Sequence, residues 1–125
     1  MSRTPRERLT DIANAVDRVR RAVQVLQQAE AEKAEDAAEL AFDALLYRLV
    51  VIGEAVKALP AELLALQPQV PWREIAKLRD LLAHHYYRVD AQVIRHTVEA
   101  PMEQLTDAVA NLIATRTGSP ADPSS

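Results

Sequence analysis

The chain has 125 residues, a net charge of −3 and no cysteine. This length suits a single domain with a sizeable hydrophobic core. The absence of cysteine excludes a disulfide scaffold and a thiolate metal site, and it suits a reducing compartment. The acidic balance argues against broad, non-specific binding of nucleic acid, which requires a basic surface, but it permits an enzyme with one local positive site.

Residue usage favours helices over strands. Only 4% of the residues are aromatic and only two are Gly, so aliphatic side chains must fill the core and little turn chemistry remains for a sheet. No run approaches the roughly 18 consecutive apolar residues of a membrane span, and the polar start MSRTPRERLTD is not a signal peptide. We therefore expect a cytoplasmic all-α protein without a membrane segment.

The first helix is predicted to begin at Thr4 and Pro5, which provide an N-cap and a proline at the first helical position. The hydrophobic stripe that follows consists of Leu9, Ile12, Val16, Val19, Val23 and Leu26. The arginines of this helix fall largely off the stripe, and we interpret them as a solvated face rather than an RNA site. The charged segment 29–36 is either an extension of this helix or the link to the next one.

The second helix should run from about residue 37 to residue 59. We expect it to be the most buried helix, because its middle, ALLYRLVVIGEAV, is apolar on nearly all sides. Gly53 within it costs about 1 kcal/mol relative to Ala, and a close helix crossing or the backbone of another chain would justify that cost. Pro60 either ends this helix or begins a short turn of its own, PAELLAL.

The third and fourth helices follow a loop. Two prolines in the segment 67–71 predict that loop, and the third helix should begin near Trp72. The fourth helix should begin at about Asp90 as its N-cap, and Pro101 should kink it. Its hydrophobic stripe consists of Ile94, Val98, Met102, Leu105, Val109 and Leu112.

Together these patterns predict an all-α, up-and-down bundle of four main helices with a short extra helix. The bundle should occupy residues 1–116. The segment 117–125 is rich in Pro and Ser and has nothing to bury, so we expect it to be a disordered tail.

One stretch, residues 72–90 (WREIAKLRDLLAHHYYRVD), gathers the groups most capable of chemistry. Asp80 follows Arg79 directly, four residues separate Arg79 from His84, and one separates His84 from Tyr86. A guanidinium group can hold a phosphate, and an imidazole with a pKa near 6.5 can act as a general acid or base. The stretch therefore suggests phosphate binding combined with proton transfer.

Helix geometry divides these side chains between two faces. Asp80 and His84 lie four residues apart and share a face, so Asp80 is placed to accept a hydrogen bond from the imidazole and fix its tautomer. Arg79 lies five residues before His84, about 140° around a regular helix. Fraying of the helix after His84, or the same motif from a second subunit, would bring the guanidinium and the imidazole together.

The R-x4-H-x-Y pattern of residues 79–86 resembles the motif of HEPN domains in the HepT-like toxin family. The flanking segments agree with this family. The IGEA segment at 52–55 is similar to the family's I-G-E-A stretch, and W-x2-I-x3-R at 72–79 is similar to its approach to the motif. The resemblance covers about residues 8–113, in the same order.

This resemblance implies metal-independent cleavage of RNA, in which the ribose 2′-hydroxyl attacks the adjacent phosphate. Arg79 would hold the phosphate and His84 would act as general acid or base, with Asp80 and Tyr86 in support. The resemblance also implies a homodimer with the motifs at its interface and no cofactor. It further implies a type VII toxin–antitoxin system, in which an MntA-like nucleotidyltransferase antitoxin neutralises the toxin by transferring AMP to Tyr86. Tyr87 is the rival acceptor, because it is adjacent and equally phenolic.

The same residues also have structural interpretations. Arg79 could simply pair with a carboxylate on a helix, and we expect Glu54 to form a structural bond to the motif region rather than to act in catalysis. The three histidines do not have a metal-binding spacing. Asp80 replaces an Asn that is frequent in the family, and Lys77 a frequent Gly. Asp80 and the net charge of −3 support a second hypothesis, a non-catalytic helical dimer that partners a nucleotidyltransferase.

Overall fold

The computed structural model describes residues 3–85 and 91–117, and within them all regular secondary structure is helical, with no strand. The helices are α1 (Pro5–Ala31), α2 (Glu35–Lys57), α3 (Ala61–Leu64), α4 (Trp72–His85) and α5 (Ala91–Thr117). α1 packs against both α2 and α5, and α2 packs in turn against α4. The predicted all-α bundle with a short extra helix is confirmed.

α1 begins as the sequence predicts. The Glu7 backbone N–H donates to Thr4 Oγ1 over 3.1 Å, the Thr4 N–H donates to Glu7 Oε1 over 2.8 Å, and Pro5 follows the cap. This reciprocal pair is a capping box, which satisfies two N–H groups that have no partner inside the helix. Five of the six stripe residues are buried and Val23 is half-buried, so the stripe faces the core.

The charged segment 29–36 contributes to both helices and to a tight link between them. α1 extends to Ala31, α2 begins at Glu35, and the Ala34 N–H donates to the Ala29 carbonyl over 2.8 Å. Lys33 has a φ of 57°, in the left-handed region that non-glycine residues seldom adopt. So short a link makes α1 and α2 an antiparallel pair.

α2 is central to the bundle, but one of its sides is open. Eight of its 23 residues are buried, against eight of 27 in α1. Leu40 and Tyr47 are nevertheless 69% and 61% exposed. α2 thus has a larger buried share than α1, while the expectation that it is the most buried helix of all stays a prediction. α1 and α4 cover only part of its circumference, so Leu40 and Tyr47 face solvent although the middle of the helix is apolar nearly all round.

The connection from α2 to α4 is fixed by a tryptophan. Pro60 begins the short helix α3 rather than ending α2, which resolves the two alternatives left by the sequence. The indole N–H of Trp72 donates to the carbonyls of Leu64 and Gln67 over 3.1 and 3.0 Å. These bonds hold the loop against the first turn of α4, which begins at Trp72 as predicted.

α5 is one continuous α-helix through Pro101, and the kink predicted at that residue stays a prediction. Of its predicted stripe, Met102, Leu105, Val109 and Leu112 are buried. The predicted N-cap at residue 90 and the predicted tail beyond residue 117 lie outside the described residues. Among the helices of the described residues, none has the length and apolar character required to cross a membrane.

Gly53 lies where α2 crosses α4. A Cβ atom at this position would lie 2.9 Å from both the Cβ and the backbone N of Arg79, and 3.2 Å from the Ile75 carbonyl oxygen. Contacts this short are not tolerated between carbon and backbone atoms, so the two helices can approach this closely only where residue 53 has no side chain. The structure thus favours the first of the two explanations for Gly53, a close helix crossing.

Replacing Gly53 by Ala should destabilise the fold even though Ala is the better helix former. We expect a loss of about 1 to 3 kcal/mol in the free energy of unfolding, measured by urea denaturation, because α4 must move away. The opposite change at the exposed helical position Ala110, Ala110→Gly, isolates helix propensity and should cost about 1 kcal/mol. A more stable Gly53→Ala protein would contradict the crossing described here.

Candidate functional site

Arg79 lies at the crossing of α2 and α4, directly against Gly53. The position follows from the sequence of both helices, since Gly53 removes the side chain that would separate them and Ile75, one turn before Arg79, is buried in the core. The side chain of Arg79 remains 38% exposed. The backbone of Arg79 is therefore fixed by helix packing, while its charged side chain reaches the surface.

Two carboxylates orient the guanidinium group of Arg79. Its Nε–H donates to Glu54 Oε1 over 2.5 Å, and its Nη1 donates to Asp80 Oδ1 over 3.0 Å. Glu54 directly follows Gly53, so the same crossing that admits Arg79 also supplies its acceptor. The expected structural bond between Glu54 and the motif region is present, and Arg79 does pair with helix carboxylates.

Lys57 is a member of this cluster that the sequence did not single out. Its Nζ lies 3.9 Å from Asp80 Oδ2, and it stands three residues after Glu54 on α2. That spacing places Glu54 and Lys57 on neighbouring parts of one helix surface, a signal that was available in the sequence. Two acids and two bases therefore alternate across the crossing, and Lys57 offsets the negative charge that Asp80 brings.

The carboxylates keep Arg79 charged. The hydrogen bond to Asp80, followed by the bond to Glu54, raises the pKa of Arg79 above its ordinary value. Charge-assisted bonds of this kind also restrict the orientation of the guanidinium plane. Each bond uses one N–H group, and a guanidinium carries further N–H donors that can bind the oxygens of a phosphate.

The sequence motif is only partly covered by the structure. His84 lies in the last turn of α4, and its side chain is outside the described part, as is residue 86. α4 is an α-helix from Arg79 through His84, so the two Cα atoms are about 140° apart around its axis and about 7.5 Å apart along it. The bond predicted between Asp80 and His84 stays a prediction.

The described part of the chain offers no cluster of ligands for a metal ion. No group of three or more His, Cys, Asp or Glu side chains there is arranged to hold a metal ion. The polar groups gathered at the crossing are instead one guanidinium, one ammonium and two carboxylates. The exposed donors in this set are suited to an anion.

Comparison with known proteins gives a match over most of the chain. A family model described as "Ribonuclease HepT-like" matches residues 12–112. That range contains both sides of the crossing, from the α2 residues around Gly53 to the motif in α4. No solved structure is significantly similar to the chain.

Individual relatives match shorter segments or at lower identity. "Probable ribonuclease HepT" of Thermococcus cleftensis is 42% identical over 62 residues, which are 50% of this chain and 56% of that protein. A "Putative RNase" of Methanocaldococcus jannaschii is 49% identical over 51 residues, 41% of this chain and 42% of the relative. A "Gamma-glutamylcyclotransferase and putative RNase" of the same organism is 26% identical over 106 residues, 82% of this chain and 48% of the relative. The chain thus spans about half the length of the curated relatives it matches.

The bond from Arg79 to Glu54 should be visible in solution. We expect the Nε–H signal of Arg79 in a ¹⁵N spectrum to be resolved and slow to exchange, because the proton is held by a carboxylate. Glu54→Ala should accelerate that exchange by about tenfold or more, as a lost charge-assisted bond exposes the proton to water. Lys57→Ala is the matched control, since Lys57 contacts Asp80 and not Arg79; equal exchange in both variants would contradict the geometry.

Proposed function

This chain belongs to the HepT-like ribonuclease family, and we propose that it is itself a ribonuclease that cleaves RNA without a metal ion. The observation that supports the proposal best is Arg79, an exposed cation fixed at a helix crossing by two carboxylates. Three relatives carry ribonuclease names. Because the chain spans about half their length, the activity of the whole protein is part of the proposal.

The proposed reaction divides its work between Arg79 and His84. The 2′-oxygen attacks the adjacent phosphorus and forms a P–O bond, its proton leaves to a general base, and the bond from phosphorus to the 5′-oxygen breaks as a general acid protonates that oxygen. Arg79 binds the non-bridging oxygens and offsets the charge that develops on them. His84 supplies one of the two proton-transfer groups, with Asp80 orienting it.

The separation of Arg79 and His84 supports a homodimer as the active form. Both residues lie in one regular helix, on faces about 140° apart. Residues so placed can act on one phosphate most readily when the guanidinium and the imidazole come from two copies of the chain. The cleavage site is therefore proposed to lie between two motif segments.

Control of the activity is proposed to act through Tyr86, in a type VII toxin–antitoxin system. Tyr86 follows the last residue of α4 directly, in the same motif as Arg79. An AMP group transferred to its phenol by an MntA-like nucleotidyltransferase adds a phosphate, an anion of the kind that Arg79 would bind in RNA. The adduct would compete with the substrate through charge and bulk together.

A second candidate function is a non-catalytic helical dimer that partners a nucleotidyltransferase. The carboxylates around Arg79 favour it, because a phosphate must compete with two anions for the same guanidinium. Purified protein incubated with RNA separates the two functions, since only the first yields cleavage products.

Arg79→Ala and His84→Ala should each lower the rate of RNA cleavage by about a hundredfold or more, measured on labelled RNA. Helix content by circular dichroism should stay unchanged, because the Arg79 side chain lies at the surface and Ala is a good helix former at both positions. Arg73→Ala is the matched control: Arg73 is an exposed arginine of the same helix outside the motif, and its loss should leave the rate within about twofold.

The same cleavage assay also tests whether the reaction needs a metal ion. EDTA should leave the rate unchanged. Strong inhibition by EDTA that a divalent ion restores would reject this part of the proposal and leave Arg79 to be explained as a structural residue.

Co-expression with a nucleotidyltransferase encoded next to this chain should add the mass of AMP to the peptide that contains Tyr86. Mass spectrometry locates the adduct, and Tyr86→Phe should abolish it while Tyr87→Phe, the neighbouring phenol, should not. The modified protein should cleave RNA at least about tenfold more slowly. An adduct that persists in Tyr86→Phe, or that leaves cleavage unchanged, would sink this mode of control.

A further inference from the structure

The two carboxylates that orient Arg79 also outweigh its charge. Glu54 Oε1 and Asp80 Oδ1 both accept bonds from the guanidinium group, so one positive group is paired with two negative ones. A phosphate is itself an anion, and a group with an excess of negative charge repels it. A site for RNA centred on Arg79 therefore needs further cations close by, and in a chain with a net charge of −3 they have to be local.

Lys57 is the first of these cations. Its Nζ lies 3.9 Å from Asp80 Oδ2, on the opposite side of the helix crossing from the backbone of Asp80. That separation is longer than a hydrogen bond, so the contact leaves the N–H donors of the ammonium group available to a ligand. The Lys57 side chain is also 61% exposed, so an anion in solution can reach it.

Lys77 is the second cation, on the helix that carries Asp80. It precedes Asp80 by three residues in α4, and side chains at this spacing lie on neighbouring parts of one helix surface. Lys77 is exposed, and among the described residues it forms no salt bridge. Arg73 and Glu74, about one turn earlier, have opposite charges and together leave the balance around Asp80 unchanged.

Together the two lysines change the sign of the charge at the crossing. With Lys57 and Lys77 included, the positive groups outnumber the two carboxylates. We propose that Lys57 and Lys77 form a phosphate-binding subsite, which takes a phosphate of the RNA strand next to the one that Arg79 holds. The inference rests on the proposed function, because its ligand is the strand that would be cleaved.

The chemistry of lysine fits this role. An ammonium group is a compact point charge on a flexible stem, so it can follow a backbone phosphate without fixing its orientation, whereas the guanidinium of Arg79 is held in one plane. Contacts to backbone phosphates position a strand and do not read its sequence. Lys57 and Lys77 are therefore positioning residues, which hold the RNA equally well before and during the reaction.

Binding is measured by fluorescence anisotropy on labelled single-stranded RNA with 2′-O-methyl groups, which lacks the attacking hydroxyl and stays intact. Lys57→Gln and Lys77→Gln should each weaken binding by about threefold to tenfold at low salt, and each should reduce the slope of log affinity against log salt by about 0.7. Lys57→Arg should keep the wild-type slope. Arg21→Gln is the matched control, since Arg21 is an exposed cation in the groove between α1 and residues 37–48 of α2. Slopes equal to that of the control would overturn the subsite.

A purely structural role for Lys57 predicts a different pattern in the same assay. If Lys57 served only to offset the charge of Asp80, its replacement would have no effect on binding once residue 80 is neutral. We expect instead that Lys57→Gln reduces the salt slope by the same amount in the Asp80→Asn protein as in the wild type. Equal slopes with and without Lys57 in the Asp80→Asn protein would assign the lysine to the ion pair alone.

Cleavage of ordinary RNA separates the subsite from the proposed function. The double variant Lys57→Gln/Lys77→Gln should raise KM by about tenfold or more and leave kcat within about threefold, because the lost contacts bind substrate and transition state alike. A protein that binds the methylated RNA through both lysines but cleaves no RNA keeps the subsite and rejects the ribonuclease. A protein that cleaves RNA with the same KM in the double variant rejects the subsite and keeps the ribonuclease.

Discussion

The contact between Gly53 and Arg79 is the constraint on which the rest of the structure depends. Without a Cβ atom at residue 53, the backbone of Arg79 comes within 2.9 Å of the place where that atom would be. This close approach packs α4 against α2 and fixes the residue along α2 at which the two helices cross. Glu54, the next residue, is thereby within 2.5 Å of the guanidinium group. The packing of α4 on α2 and the ion pair between Glu54 and Arg79 therefore depend on the same residue. The two backbones can approach this closely only because Gly53 has no side chain.

The charges at the crossing are balanced, and this changes the interpretation of Asp80. Beside a phosphate site, an additional aspartate is unfavourable. In the folded chain, however, Asp80 accepts a bond from Arg79 over 3.0 Å and lies 3.9 Å from Lys57. All of these side chains are partly exposed, so they contribute little to stability compared with the buried aliphatic core. Their effect is to orient one guanidinium group, which is what an anion site requires.

α2 relates the core, the candidate site and the outer surface to one another. One part of its circumference packs against α1, another admits α4 at Gly53, and a third presents Leu40 and Tyr47 to solvent.

The sequence by itself determined the helices and the motif. The cap at Thr4, the stripe of α1, the start of α4 at Trp72 and the buried positions from Met102 onward all follow from local periodicity and capping, which depend on residues within a few turns. The order Arg79, His84, Tyr86 was likewise legible in the sequence, and the match over residues 12–112 agrees with the family that it suggested.

Only the tertiary structure decided which distant residues meet. Gly53 faces Arg79, Glu54 binds Arg79 across 25 residues of sequence, and Lys57 approaches Asp80. The side of α2 that carries Leu40 remains open. Periodicity identifies the apolar faces of a helix, but which of them is covered, and by which side chain, depends on how distant helices cross.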